Sequence, residues 1–404
     1  MAQGAGKRTR REVVLVVALA VAVAAFLSRA AVGHRFFDLE IYYGALRYWA
    51  HDGGELYDWL KRDTRYGFTY PPFAALLMLP MAYLPWPVVL LSYLTATAVA
   101  TGLILWWLVD PVSRRMGWTR WFAFTVAFLL AAAYEPLTET VDFGQINMLL
   151  LALVAADLLR LVAAGSRWGG VGVGLATSIK LTPGIFIVYL LVTARWRAAL
   201  TASGTVAAVT LLAAAVAPDT SREFWLMALW NTDRVGELEF ISNQSLQGLV
   251  ARLDPPYPSL WWLSLVAAAV AVWIRRARAA TASDDEMTGL ALTGVAMCLV
   301  SPVTWVHHLV WLIPALALLV DHALRARAGS ARRRSLLAFA AVAYLVLISR
   351  MVWIWEYDWR GVVGFLGSNA YVFVSVALLV ALPVRSRSGQ APHVRRLQDV
   401  THLR

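Results

Sequence analysis

The chain alternates between long unbroken apolar blocks and short polar breaks, and the breaks are of two kinds. Some are compact basic clusters: Lys7 to Arg11, Arg114-Arg115, Arg195-Trp196-Arg197, Arg275 to Arg278, Arg325 to Arg334 and Arg385-Ser386-Arg387. Others are longer and carry carboxylates, amides and histidines. Within the apolar blocks Ala, Leu and Val run together without the alternation that membrane β-strands of ~10 residues would show. The pattern predicts an all-α integral membrane protein with about 12 transmembrane helices, each needing ~20 apolar residues to cross.

Basic clusters favour the cytoplasmic side, which fixes an expected topology. Residues 1–12 read as a cytoplasmic tail, 13–384 as one transmembrane domain and 385–404 as a second cytoplasmic tail. The first helix, about Val13 to Ala31, lacks a convincing small-residue cleavage site and is expected to be retained. It delivers residues 32–70 to the outer side, where Ala45-Leu46-Arg47-Tyr48-Trp49 predicts a short amphipathic helix at the interface. The stretch Phe73 to Val109, broken by Pro80, Pro85 and Pro87, predicts a short re-entrant or surface piece followed by one full span. Gly169 to Thr193 predicts two shortened helices interrupted at Lys180-Leu181-Thr182-Pro183. No internal repeat is visible.

Composition narrows the class. With 60% hydrophobic and 15% charged residues and a mean hydropathy of +0.61, an ordinary soluble domain is excluded. The net charge of +11 sits in clusters between apolar blocks, which argues against a nucleic-acid partner. Cys298 is the single cysteine, so no internal disulfide can form. Phosphate-loop, dinucleotide, zinc and nucleophile-elbow motifs are all missing.

Carboxylates are scarce, yet the outer stretch His34 to Tyr70 holds Asp38, Glu40, Asp52, Glu55, Asp58 and Asp63. A carboxylate at the lipid boundary can act as a base on a substrate held there. Asp38 and Asp58 are the candidates, the bland alternative being solvated loop charge or, for Asp58, a cap on a helix starting at Trp59. Lys180, set in an apolar run, either neutralises a phosphate or snorkels to the interface. His307-His308 follows Ser301-Pro302-Val303-Thr304-Trp305 at a helix mouth, where imidazoles can donate to a phosphate. On a regular helix the two rings diverge by ~100°, so serving one ligand requires a distorted first turn. A bare histidine pair is a poor metal motif.

Asp142 and Gln145-Ile146-Asn147 either bind sugar hydroxyls or cap the next helix. Asn243-Gln244-Ser245 reads as a ligand-facing polar turn. Trp305, Trp353, Trp355, Tyr357 and Trp359 bunch on the outer face, to stack on sugar or to anchor the interface. All these motifs fall on one side of the expected topology, so they are expected to converge on a single external site.

Taken together, Asp38-Leu39-Glu40-Ile41-Tyr42-Tyr43, Leu56-Tyr57-Asp58, Tyr70-Pro71-Pro72-Phe73, Gly144-Gln145-Ile146-Asn147, Lys180-Leu181-Thr182-Pro183, Asn243-Gln244-Ser245 and Ser301-Pro302 with His307-His308 resemble family 87 of the GT-C glycosyltransferases. The resemblance runs from residue 13 to about residue 385. It implies a polyprenyl-phosphate-mannose donor, a mannosylated phosphatidylinositol acceptor, an α-1,2 product and a plasma-membrane site facing the exterior. Inversion of a β-linked donor requires one in-line displacement by a base-activated hydroxyl. The Leu-Tyr-Asp match makes Asp58 the first choice of base and Asp38 the second. Lys180, His307, His308 and Arg62 are expected at the donor phosphate, with Lys61, Arg65 and Arg234 in reserve. Glu40, Tyr43, Gln145, Asn147, Asn243, Gln244 and Trp355 are expected at sugar or acceptor. Metal independence is expected, with no cofactor.

Two other classes compete: a polytopic lipid or sugar transporter, and a GT-C enzyme using another lipid-phosphate sugar. A transporter usually places its ionisable residues at the midplane and shows internal repeats, whereas here they gather at one face.

Overall fold

A computed structural model describes residues 2–30, 33–231 and 236–385. Every regular element among them is helical, beside one isolated antiparallel bridge, Leu60 to Gly67. In order these are α1 (Ala2–Ala30), α2 (Phe37–His51), α3 (Pro72–Met78), α4 (Trp86–Met116), α5 (Arg120–Ala133), α6 (Glu135–Phe143), α7 (Asn147–Ala156), α8 (Val171–Ile179) and α9 (Ile185–Val192). There follow α10 (Trp196–Val216), α11 (Pro218–Leu226), α12 (Leu246–Leu253), α13 (Pro258–Ala282), α14 (Glu286–Val300), α15 (Ile313–Arg325), α16 (Ala331–Ile348), α17 (Gly361–Ser368) and α18 (Ala370–Ala381).

Five helical stretches among the described residues are long and apolar enough to cross a bilayer: Thr9–Arg29, α4, α10, α13 and Val306–Arg325. Two bent pairs, α5 with α6 at 69° and α17 with α18 at 61°, bring the number to seven. The protein is a multi-pass membrane protein. Phe73 to Val109 forms α3, a 3-10 turn Leu79–Tyr83 and then the 31-residue α4, so the prolines do separate a short piece from one full span. Residues 45–49 lie inside the longer α2. No helix begins at Trp59, so Asp58 caps none.

At the centre lies α14, buried on every face from Thr288 to Leu299 and packed against α13, α15 and α18. Such an all-round apolar helix belongs in a protein interior. By contrast α13 turns Leu260, Trp261 and Leu263 outward, a surface suited to lipid.

The basic clusters meet at one end. Arg114 and Arg120 hold Asp110 at 2.7 and 3.2 Å. Arg115, Arg325 and Arg385 share Asp321, and Arg195 pairs with Glu286. Thr119 donates to Glu12 at 2.8 Å, bringing α1 beside the start of α5. The expected C-terminal tail lies outside the described residues beyond Arg385, as does Arg234.

Candidate active site

The site is built where α6 stops. Tyr134 carries the bend between α5 and α6, and Pro136 sits in the first turn of α6, where a missing N–H costs nothing. α6 ends at Gly144, with φ at 79°. A Cβ there would stand 2.4 Å from Leu39 Cβ, so both the left-handed backbone and the close approach to α2 require glycine. Tyr93 of α4 donates to the carbonyls of Thr140 (2.8 Å) and Gln145 (3.2 Å), fixing the junction from behind. The outcome is that Gln145 meets Asp38.

Gln145 Nε2 donates to Asp38 Oδ2 at 2.7 Å. Its Oε1 accepts from Tyr70 Oη at 2.8 Å and from Lys180 Nζ at 3.4 Å. Tyr42 in turn donates to Tyr70 at 2.9 Å. Lys180 ends α8 in an extended conformation (φ −146°, ψ 129°), and Pro183 sits within the 3-10 turn Thr182–Gly184 that follows. Its ammonium donates to Asn147 Oδ1 at 3.2 Å and lies 3.1 Å from His308 Nε2. Burial pushes the Asp38 carboxyl up to about 6, against the Gln145 hydrogen bond and the charges of Lys180, His34 and Lys61, which pull it down.

His308 gains its position from a distorted first turn, but the two rings do not face one ligand. Val306–Leu312 is a 3-10 helix, and the rings of His307 and His308 stand perpendicular with centroids 4.6 Å apart. The Trp305 N–H donates to His308 Nδ1 at 3.1 Å. That pattern assigns the proton of the neutral ring to Nε2. The Nε2–H and the Lys180 ammonium are then two donors 3.1 Å apart, a pair that an anion lying against both would satisfy. His307 turns away: it is buried, its ring is 5.3 Å from Phe143, and its carbonyl accepts from Thr140 (2.8 Å) and Asn147 (3.1 Å).

The other expected residues stand elsewhere. Asp58 is exposed, and among the described residues its side chain has no hydrogen bond or ion pair. Arg62 is exposed and pairs with Asp63 at 3.6 Å. Glu40 holds Lys61, whose ammonium lies over the Phe37 ring. Tyr43 fastens α2 to the start of α4 by donating to the Leu84 carbonyl at 3.0 Å. Trp355 packs its indole onto Gly367. Asn243 and Gln244 are fully buried, which removes them from a ligand-facing surface. Asn243 Oδ1 accepts from the Thr304 N–H at 2.9 Å, Gln244 Nε2 donates to the carbonyls of Ile241 and Ser368, and Ser245 caps α12. This turn buttresses the 301–308 segment because burial obliges its amides to satisfy backbone.

A second buried network escaped the sequence reading. Arg350 donates to Glu139 at 2.7 Å and lies 3.9 Å from Glu135, which also accepts from Trp353 at 2.6 Å and from Tyr371. His34 reaches Glu139 at 3.2 Å and stacks on Phe143 at 3.9 Å. Burial works to lower the His34 imidazole, but the hydrogen bond and charge of Glu139 carry it above its ordinary value. The available signal was Glu135 and Glu139, two carboxylates one helical turn apart in a chain short of them.

Residues 68–302 match the family model described as Glycosyltransferase family 87. The chain belongs to this family. The matched region contains Tyr70, Gln145, Asn147 and Lys180, while Asp38 and His308 lie outside it. A Mycolicibacterium smegmatis polyprenol-phosphate-mannose-dependent alpha-(1-2)-phosphatidylinositol mannoside mannosyltransferase is 35% identical over 316 residues, 72% of this chain and 71% of that one. A Mycobacterium tuberculosis protein of the same description is 31% identical over 392 residues, 88% and 86% of the two chains. A Corynebacterium glutamicum alpha-(1->3)-arabinofuranosyltransferase is 27% identical over 299 residues, 68% of each. No solved structure matches.

Proposed function

We propose that this family 87 glycosyltransferase moves mannose from polyprenyl phosphate mannose to a mannosylated phosphatidylinositol, inverting the anomeric carbon to give an α-1,2 linkage. One observation carries the reading. Asp38, a carboxylate raised towards neutrality, and the Lys180–His308 donor pair are joined through the single side chain of Gln145. That gives a base and an anion site held in fixed relation through one side chain, the two groups that an in-line displacement needs on opposite sides of the anomeric carbon.

Asp38 takes the base role that the Leu-Tyr-Asp match would have given to Asp58. Its Oδ2 is held by Gln145, and Oδ1 accepts the proton of the acceptor hydroxyl. The hydroxyl oxygen bonds to the anomeric carbon as the bond from that carbon to the phosphate oxygen breaks on the opposite face. The electron pair leaves with the lipid phosphate, whose growing charge meets the Lys180 ammonium and the His308 Nε2–H. Lys180 and His308 supply the cationic side, and we propose a metal-independent reaction. A topology of about 12 spans, with the site at the outer face of the plasma membrane and the arginine-rich end inside, belongs to the same proposal.

The test is transfer from radiolabelled polyprenyl phosphate mannose to purified mannosylated phosphatidylinositols by wild type, Asp38→Asn and Asp58→Asn, with and without chelator. The expected result is chelator-resistant transfer, lost in Asp38→Asn and kept in Asp58→Asn. An arabinosyl donor accepted in place of mannose would overturn the sugar, and movement of intact lipid without transfer would overturn the enzyme.

A further inference from the structure

Gln145 spends both ends of its amide on opposite partners. Lys180 Nζ is a donor with nothing to accept, so the end facing it is Oε1, which Tyr70 Oη also addresses. The end facing Asp38 is therefore Nε2. Reversing the amide would set its oxygen against a carboxylate oxygen at 2.7 Å and its NH2 against an ammonium, so the surrounding charges leave one orientation. The backbone is held as tightly: Gln145 N donates to the Thr140 carbonyl at 2.9 Å and its own carbonyl accepts from Tyr93. The side chain is itself buried.

We propose that Gln145 is a positioning residue for the transfer, not a sugar contact: it pins Asp38 Oδ2, presents Oδ1 to the acceptor hydroxyl and ties the base to the cation that meets the donor phosphate. Tyr70, itself oriented by Tyr42, keeps the amide in register. The inference rests on Asp38 being the base. Other groups also act on that carboxylate. Lys180 at the end of α8, with His34 and Lys61 in the outer loop, favours its charged form. Tyr42 on α2, Tyr70 before α3 and Tyr93 on α4 surround it with neutral phenols. The Gln145 hydrogen bond also favours the charged form, so its removal moves the titration upward.

The experiment measures kcat, donor KM and acceptor KM against pH for wild type, Gln145→Leu, Gln145→Met, Tyr70→Phe and Asp38→Asn in detergent-purified enzyme. For Gln145→Leu the expected result is a fall in kcat of about 100-fold with donor KM little changed, since misplacing a catalytic group by an ångström costs about that much. The acidic limb of its profile should move up by about one pH unit. Tyr70→Phe should move both in the same direction by less, and Gln145→Met repeats the test should the leucine variant fail to fold. A raised acceptor KM with unchanged kcat would mark Gln145 as a sugar contact and overturn the proposal. So would a loss of kcat that tracks thermal stability while the limb stays fixed. Full activity in Asp38→Asn would instead overturn the base assignment underneath it, so that variant separates the two failures.

Discussion

Asp38→Asn separates what the carboxylate does for the reaction from what it costs the fold. The Asp38 carboxyl titrates at about 6 in the folded protein, against an ordinary value of 3.8. At 1.36 kcal/mol per unit, that displacement corresponds to ~3 kcal/mol of differential interaction between its two forms. The sign follows from which state binds the proton more tightly. Because the folded value is the raised one, the stabilisation is full below pH 3.8, falls as the unfolded chain ionises and is gone above about pH 6. An asparagine keeps an acceptor oxygen for Gln145 Nε2 and carries no charge to desolvate. The variant should therefore unfold later than wild type at pH 7.5, by up to ~3 kcal/mol, and the gap should close near pH 4. Over the same range it should lose transfer by ~100-fold to 10,000-fold, the usual contribution of a general base. The assays are thermal unfolding in detergent across pH and transfer under saturating donor. A stability difference that does not vary with pH, or an Asn variant less stable at neutral pH, would refute the burial argument. Wild-type activity with no acidic limb near pH 6 would refute the base.

Three further substitutions probe the surrounding structure. Lys180→Gln should lower the single-turnover rate of transfer by ~100- to 1,000-fold, the cost of losing one preorganised charge at a developing anion. Gly144→Ala should destabilise the fold by ~2–4 kcal/mol, combining a left-handed backbone with a Cβ 2.4 Å from Leu39, and its activity should fall with the displaced Gln145; unfolding midpoints check the first part. Arg350→Met should cost ~3–5 kcal/mol, because it leaves Glu135 and Glu139 buried without their shared cation, and the loss should shrink as pH falls and the carboxyls protonate.

Much of the architecture was legible in the chain because apolar length and proline position act locally. The break at Lys180, the short piece before α4 and the gathering of arginines at one end follow from rules that need no tertiary knowledge. The site was legible as a set of segments: Asp38, Gln145, Asn147, Lys180 and His308 were all named and all meet. Roles were harder. Asp58 and Asp38 look alike in sequence, and what separates them is whether Gly144 lets another helix end reach them. Asn243 and Gln244 looked like ligand contacts because a polar turn reads the same whether it faces a substrate or satisfies buried backbone. Arg350 was invisible as a partner of Glu139 because 211 residues separate them.

The facing donors of Lys180 and His308 also bear on turnover. A sugar phosphodiester carries a single negative charge, whereas the monoester left after transfer approaches two at neutral pH, like other phosphomonoesters. In the proposed mechanism, two converging donors at this site would hold the spent carrier lipid more firmly than the loaded one. On that mechanism the arrangement that eases bond breaking also favours the product, so free polyprenyl phosphate should inhibit transfer competitively against the donor.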